Sequence, residues 1–462
     1  MTGDAITITP WPDCQQSPEA QLVDVPSSPD KSLTHRAMIL AAMAQGCSVI
    51  HNPLDAEDCL ATMRAFAPMG VSVSAHEEAC VTRWMVDSPG VDQWRHPVEV
   101  PVLDLGNSGT SARLLTGLFS GITGLTVTLT GDESLSCRPM ARVVEPLRGM
   151  GASISGDSDG RTLPLTITGT ALRGRSLQFH VPSAQIKSAI LLAATSVDGE
   201  VVMTMPQGSR DHTERMLFDL GANITVRQHY DSEIIRMIGP WRPRSFSFNV
   251  PGDPSSAAFF LALAALHPNL SVRCRNLIKN PTRVGFLNIL RRMGCDVIWS
   301  DDSDPTRSPD RTFGEIVGDV TVSRRPQQKL KSTMVHRAEI ATLIDEVPIL
   351  AVVCSVAEGL SVIEGLSELR VKESNRFESI IALLGGANIA VKPTGDAISI
   401  QGRPDPAGFD FESQDHRMVM SACILATRAA ASSRIYGRRW IQTSFPLFLP
   451  ALQNIKAGYT AF

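Results

Sequence analysis

The sequence predicts an α/β protein built from six copies of one small unit, each with two helices and several strands. Two observations carry this. Along the 462 residues, a polar loop leading into an apolar helix, a break and a strand occurs six times. A second helix then ends at a glycine in each copy, at Gly70, Gly151, Gly221, Gly294, Gly386 and Gly458. A glycine suits the helix C′ position, where the left-handed conformation is needed. These glycines recur about every 70 to 90 residues, a period too long for a thin solenoid, so the copies read as small α/β modules, three plus three. Composition agrees: 43% hydrophobic and 19% charged residues describe a soluble globular chain long enough for two or three domains.

Residues 1–25 read as an irregular or short-stranded lead-in. Asp30-Lys31-Ser32-Leu33-Thr34-His35-Arg36 then runs into the apolar helix 37–43, which Gly46 should end before a strand at 48–50. Pro101-Val102-Leu103 reads as a short buried strand, followed by Gly106-Asn107-Ser108-Gly109-Thr110, a helix through Phe119 and a strand at 125–129. Pro182-Ser183-Ala184-Gln185-Ile186-Lys187 opens the third helix, over 188–196, with a strand at 200–204. Gly252-Asp253-Pro254-Ser255-Ser256 opens the fourth, over 257–266, with a strand at 270–273. Ile344-Asp345-Glu346-Val347-Pro348 opens the fifth, over 349–356, with a strand at 360–363. Gln414-Asp415-His416-Arg417 opens the sixth, over 418–430, with a strand at 433–436. The polar stretch 242–253 reads as a crossing between lobes, and the Asp-, Ser-, Pro- and Arg-rich stretch 300–333 as a loop inserted in the fifth unit.

Forty-three basic and forty-seven acidic side chains leave a net charge of −4, which offers no bulk attraction to nucleic acid or an anionic membrane. Positive charge for an anionic ligand must then be local. Nine cysteines, at 14, 47, 59, 80, 137, 274, 295, 354 and 423, include no Cys-x-x-Cys pair and no zinc spacing. Buried thiols in a reduced, cytoplasmic setting are the simplest account. The first 25 residues carry Asp4, Asp13 and Glu19 and lack an apolar core, against a secretory signal, and no apolar run reaches membrane-spanning length.

The loop-to-helix junctions hold the chemistry. A helix N-terminus presents unpaired N–H groups and a partial positive charge, which suit an anion. Gly106 and Gly109 let a ligand approach the backbone, and Arg113 adds charge nearby; an ordinary capped loop is the bland alternative. Lys31 and Arg36 sit where the helix dipole disfavours cations, so either an anionic ligand or a solvated basic turn explains them. Arg138 precedes Pro139, and its bland reading is a surface arginine. Ser183, Gln185 and Lys187 offer hydroxyl, amide and ammonium donors to a phosphate. Asp345 and Glu346 interrupt an apolar stretch, as a cap or as a general base. In Glu368–Arg376, Lys372 and Arg376 are spaced to share a helix face with Glu373 between them, as a salt-bridged helix or as an acid among cations. The set fits two multiply charged small anions beside an acid–base pair. No Walker loop, nucleophile elbow or strand-linked G-x-G-x-x-G is present.

Across nearly its whole length the chain resembles the 5-enolpyruvylshikimate-3-phosphate (EPSP) synthase family. The resemblance is carried in order by Asp30–Arg36, Gly106–Arg113, Arg138-Pro139, Pro182–Gln185, Ser209–Glu214, Ile344–Pro348, Leu369–Ser374 and Asp415-His416-Arg417. It implies the two-lobed enolpyruvyl-transferase fold, an inside-out α/β barrel with three repeats per lobe, closing on substrate. Lobe I would be 1–29 with 251–462 and lobe II 30–250, with hinges near 26–31 and 248–254.

The resemblance also implies an activity: transfer of the enolpyruvyl group of phosphoenolpyruvate to the 5-hydroxyl of shikimate 3-phosphate, in chorismate and aromatic amino acid biosynthesis. It implies no metal and no organic cofactor, and a cytoplasmic monomer working on small molecules without nucleic acid or membrane. Lys31, Ser32, Arg36, Ser183, Ala184, Gln185, Arg210, Asp345 and Lys372 would hold shikimate 3-phosphate. Lys31, Gly109, Arg138, Gln185, Arg376 and Arg417 would hold phosphoenolpyruvate. Asp345, Glu373 and Lys31 would be catalytic, with Arg113 supporting its loop. Ala184, where many members have a second serine, Thr443, where many have a lysine, and Arg210 resemble the divergent second class of the family.

Two rivals remain. UDP-N-acetylglucosamine enolpyruvyl transferase shares the fold, but its loop cysteine falls at the position of Glu133 here. A non-catalytic anion-binding protein would not need Lys31, Asp345 and Glu373 together.

Overall fold

The computed structural model describes residues 4–11, 21–78, 81–300, 312–325 and 327–460. The chain divides into two compact units. Unit 1 comprises Met1–Ser28, Pro251–Arg307 and Ile316–Phe462; unit 2 comprises Pro29–Val250 and Ser308–Glu315.

Three apolar helices occupy the middle of each unit: α1 (Lys31–Met43), α2 (Gly109–Ser120) and α3 (Ala184–Ala194) in unit 2, and α4 (Pro254–Leu266), α5 (Val347–Ser355) and α6 (His416–Ala426) in unit 1. A helix that is apolar all round must be enclosed, and every residue of α4 and α5 is buried. Sheets cover the helices. Among the described residues, five are four-stranded and one is three-stranded. In each, a short strand runs parallel to the strand that follows the core helix. In the four-stranded sheets an antiparallel hairpin completes the set. Strand Thr126–Thr130 shows the reason: Val127 and Leu129 face the core while its threonines are half-buried. Helix contact is closest at Gly117 of α2, where a Cβ would lie 2.0 Å from the Ala189 carbonyl of α3. Only glycine permits that approach.

Two strands pair in the unit other than that of the helix they lead into. Gln21–Val25 precedes α1 in the chain but pairs with Leu270–Ile278 of unit 1. Ser247–Asn249 precedes α4 but pairs with Gln45–His51 of unit 2. The N-terminal strand Ala5–Ile8 runs antiparallel to Ser433–Tyr436 and so completes the sheet of the sixth repeat.

Several local expectations need correction. The core helices begin before their apolar runs, because Asp30, Ser108, Ser183, Asp253 and Asp415 cap them with side-chain acceptors. Helix α1 ends at Ala44, and Gly46, with φ +97°, lies inside the next strand. Gly70, Gly151, Gly221 and Gly294 are left-handed as expected. In the fifth repeat the helix runs through Gly386 and Asn388 takes the left-handed position. Gly458 sits inside the last helix, Phe448–Thr460, since the strand that would follow it comes from the N-terminus instead. Val102 is exposed on its edge strand, where only Leu103 points inward.

The stretch 300–333 is not a loop inserted in the fifth repeat: among its described residues one segment is a strand of the fourth repeat, and its last residues, Lys331, Ser332 and Thr333 among them, bond to the fifth. Val317–Ser323 is an inner strand of the fourth repeat's sheet, with Gly318, Val320 and Val322 turned inward at a period of two. Its polar composition hid that alternation. Residues 301–311 and Pro326 lie outside the described residues. Phe313 is buried in unit 2, stacked on Phe248 at 4.8 Å.

Of the cysteines, 59, 274, 295, 354 and 423 are buried and free, whereas Cys47 and Cys137 are exposed, contrary to the buried-thiol expectation. Cys14 and Cys80 lie outside the described residues. Burial pushes the Cys295, Cys354 and Cys423 thiols up to about 12, so they stay protonated and inert. Among the described residues, no helix is long and apolar enough to cross a membrane.

Candidate active site

In unit 2 the N-termini of α1, α2 and α3 are tied together by buried hydroxyls. Asp30 caps α1 by accepting the Leu33 N–H at 2.8 Å. Lys31, the first residue of α1, pairs with Asp58, and that carboxylate offsets the dipole's penalty on a cation there. The buried His35 ring meets the Thr62 hydroxyl at 2.7 Å; Thr62 meets Ser111 at 2.5 Å, and Ser111 meets Ser108, the cap of α2, at 2.6 Å. Burial holds the His35 pKa well below its usual value, and the charges of Lys31 and Arg36 push it the same way, so the ring is neutral.

Arg36 is 5% exposed. It donates from Nε to Thr213 at 2.7 Å, from Nη2 to Ser188 of α3 at 2.7 Å and from Nη1 to the Ser32 carbonyl at 2.9 Å. Ser188 and Thr213 are themselves 2.7 Å apart. The Gln185 amide donates to Thr110 at 3.1 Å and so joins α3 to the Gly109 loop. Ser183 caps α3, and Ala184 follows as its first residue. Arg210 is half-buried just before the helix His212–Asp219.

Gly109 lies between two guanidinium groups. Arg113 donates to the Gly109 carbonyl at 3.0 Å and to the Pro139 carbonyl at 3.2 Å, the supporting role expected of it. Arg138 donates to the Asn107 carbonyl at 3.2 Å, to Asn107 Oδ1 at 2.5 Å and to Ser134 at 3.2 Å. A Cβ on Gly109 would stand 2.7 Å from Arg113 Nη1 and 3.1 Å from Arg138 Nη1. The glycine is what lets both arginines close on this turn.

One expectation fails here. Lys187 is fully buried, with its ammonium 2.6 Å from Glu214 and 2.9 Å from Glu233. It cannot serve a phosphate at the start of α3; its long stem carries the charge into the interior, to Glu214 of the Ser209–Glu214 motif and to Glu233. Burial opposes its charge, but those carboxylates hold its pKa above the usual lysine value.

Unit 1 contributes a second cluster. Arg376, 1% exposed, begins the helix Arg376–Gly386. Its Nη2 lies 2.6 Å from Glu373, its Nη1 3.4 Å from Asp345 and its Nε 2.7 Å from Asp415. Burial works against the guanidinium charge, yet Asp415, Glu373 and Asp345 outweigh it and push the pKa up. Lys372 Nζ reaches Asp345 at 3.5 Å, and Arg417 Nη2 reaches its other oxygen at 3.9 Å. Asp345 is thus ringed by three cations.

Lys372 and Arg376 do not share a helix face: Lys372 ends the short helix Ser367–Val371, and Asn375 starts a new one by accepting the Glu378 N–H at 3.3 Å. They converge on Asp345 by tertiary packing. Nor is Asp345 the cap of α5. Glu346 holds that position and makes no side-chain cap bond. Thr443 donates to the Trp440 carbonyl at 2.7 Å, where many family members would carry a lysine.

Sequence reasoning missed Thr62, Ser111, Ser188 and Thr213 as the ties of the unit 2 cluster. A lone hydroxyl in an apolar helix, such as Ser188, carries no spacing signal. Among the described residues one group, Asp211, His212 and Glu315, brings possible metal ligands within 4.8 Å of one another. Arg215 already supplies positive charge there, 2.8 Å from Asp211 and 4.0 Å from Glu315, while His212 and Glu315 lie 2.6 Å apart.

Residues 16–452 match the family described as EPSP synthase (3-phosphoshikimate 1-carboxyvinyltransferase). A protein of Roseiflexus castenholzii named 3-phosphoshikimate 1-carboxyvinyltransferase is 40% identical over 439 residues, covering 94% of this chain and 97% of that one. One of the same name from Geobacillus thermodenitrificans is 38% identical over 445 residues, covering 94% and 96%. The solved EPSP synthase of Acinetobacter baumannii superposes with a TM-score of 0.80 at 34% identity, over 98% of both chains. The enolpyruvyl transferase NikO of Streptomyces tendae, at 16% identity and a TM-score of 0.71, shares the fold.

Proposed function

The chain belongs to the EPSP synthase family, and from that premise we infer how its residues act. It is a 3-phosphoshikimate 1-carboxyvinyltransferase. It moves the enolpyruvyl group of phosphoenolpyruvate to the 5-hydroxyl of shikimate 3-phosphate and releases phosphate, in the route to chorismate and the aromatic amino acids. The observation that carries the assignment of roles is Arg376, which holds Asp345 and Glu373 around one guanidinium.

Asp345 takes the proton of the 5-hydroxyl as that oxygen attacks C2 of phosphoenolpyruvate. Glu373 gives a proton to the C3 methylene, assisted by Lys31. The product is a tetrahedral intermediate with both oxygens on C2. Glu373 then removes a proton from the new methyl group, the C2–O bond to phosphate breaks, and the double bond returns. The proton on Asp345 leaves with the phosphate. Each carboxylate must act as acid and base in turn, which suits groups set among cations.

Ser32, Ser183, Gln185 and Arg210, with the first N–H groups of α1 and α3, hold shikimate 3-phosphate, and Lys372 adds a charge beside Asp345. The buried Arg36 serves it by fixing the α1 and α3 N-termini together through Ser188 and Thr213. Gly109, Arg138, Arg376 and Arg417 hold phosphoenolpyruvate, with Lys31 and Gln185 reaching both ligands. The enzyme works as a cytoplasmic monomer on these small molecules, and its small net charge of −4 offers no bulk attraction to nucleic acid or an anionic membrane.

Phosphate release with phosphoenolpyruvate and shikimate 3-phosphate as sole substrates tests this directly. Absence of release, or equal release with UDP-N-acetylglucosamine as acceptor, overturns it.

A further inference from the structure

Asp415 is the one carboxylate of the unit 1 cluster without a role toward substrate. It is completely buried. Its Oδ2 accepts from Arg376 Nε at 2.7 Å and from the Ser374 hydroxyl at 3.2 Å. Its Oδ1 accepts the Arg417 backbone N–H at 2.9 Å, capping α6, and receives Arg376 Nη2 at 3.4 Å. One carboxylate therefore grips the Nε–Nη2 edge of Arg376 and starts the helical turn that carries Arg417.

We propose that Asp415 is a positioning residue for the phosphoenolpyruvate half of the site, setting Arg376 and Arg417 from a single buried charge. The proposal rests on the functional reading above and deepens it. A guanidinium is a rigid planar fork, so fixing one edge fixes the direction of the other donors. With that edge held by Asp415, Nη1 faces Asp345 at 3.4 Å, too long for a tight ion pair, while Nη2 meets Glu373 at 2.6 Å. Remove the Asp415 charge, and Arg376 is left with Asp345 and Glu373 as its counter-charges. It then closes on them, and the donors meant for an incoming anion are spent on the catalytic carboxylates. Balance matters because three carboxylates, Asp345, Glu373 and Asp415, face three cations, Lys372, Arg376 and Arg417.

Asp415→Asn separates this from a capping role. Asparagine caps a helix about as well as aspartate, so the start of α6 persists while the charge is lost. Steady-state kinetics should show KM for phosphoenolpyruvate raised roughly 10- to 100-fold, the range expected for losing a charge-assisted hydrogen bond. KM for shikimate 3-phosphate should stay within about threefold, while the melting temperature falls because a buried ion pair loses one partner. Asp415→Ala, which loses cap and charge together, should melt earlier still. A KM for phosphoenolpyruvate within twofold of wild type in Asp415→Asn, or an equal rise for both substrates, overturns the proposal while wild-type turnover leaves the functional reading standing. If the wild-type protein releases no phosphate, both fall together.

Discussion

Asp345 and Glu373 share Arg376 but differ in surroundings. Asp345 meets three cations, whereas Glu373 is the more exposed of the two, at 26% against 16%. Asp345→Asn and Glu373→Gln keep shape and remove the proton acceptor, so each should lower kcat by about 10²- to 10⁴-fold, the usual worth of general acid–base catalysis. Ligand affinity, read by equilibrium titration, should change little. A variant that turns over near the wild-type rate has lost nothing essential, and its assigned role is then wrong. Gly109→Ala makes a different prediction. Its methyl would press on Arg113 Nη1 and Arg138 Nη1, the movable ends of side chains. The protein should fold, with KM for phosphoenolpyruvate raised about tenfold, equivalent to ~1.4 kcal/mol, and KM for shikimate 3-phosphate unchanged. Equal effects on both substrates would count against the placing of phosphoenolpyruvate at this turn.

The core helices explain how a chain of net charge −4 can gather anions. Their caps and first turns set N–H groups and selected cations at one end, while their apolar bodies fill the middle of each unit. The α2–α3 contact is a close backbone approach between two core helices of unit 2. Gly117→Ala places a methyl 2.0 Å from the Ala189 carbonyl, a backbone atom that cannot swing aside. The helices must separate, at a cost of about 1–3 kcal/mol or more in urea unfolding. Since Gln185 joins α3 to the Gly109 loop, activity should fall too. Unchanged stability would mean that the two helices are not packed this closely.

Each unit also carries a buried neutral histidine. His35 in unit 2 meets Thr62; His267 in unit 1 meets Thr427 at 2.9 Å and stacks on Trp11 at 5.0 Å. Burial first, then neighbouring cations, holds both pKa values well below 6.5. The unfolded chain binds these protons below about pH 6.5 while the folded one does not, so stability falls as pH drops below that value and is retained above it. The limit is about 1.4 kcal/mol per pH unit for each histidine. Urea melts at pH 7.5 and 5.5 should show the loss, and His35→Gln should reduce the pH slope. A slope unchanged by that substitution would contradict the neutral assignment.

By itself the sequence determined the six-fold repeat, because helix and strand periodicity and cap chemistry are local and recur. It also determined the residue types at the junctions, since cations at helix N-termini stand out against the dipole rule. Tertiary structure alone decided who partners whom. Lys187 and Lys372 both follow polar junctions, yet one ends among buried carboxylates and the other beside Asp345. The strand Val317–Ser323 lay concealed in polar composition, and the last repeat borrows Ala5–Ile8 from the other end of the chain. Such pairings join residues far apart in sequence. They are set by which buried charges and strand edges must be satisfied once the helices pack, a requirement that no local window of sequence contains.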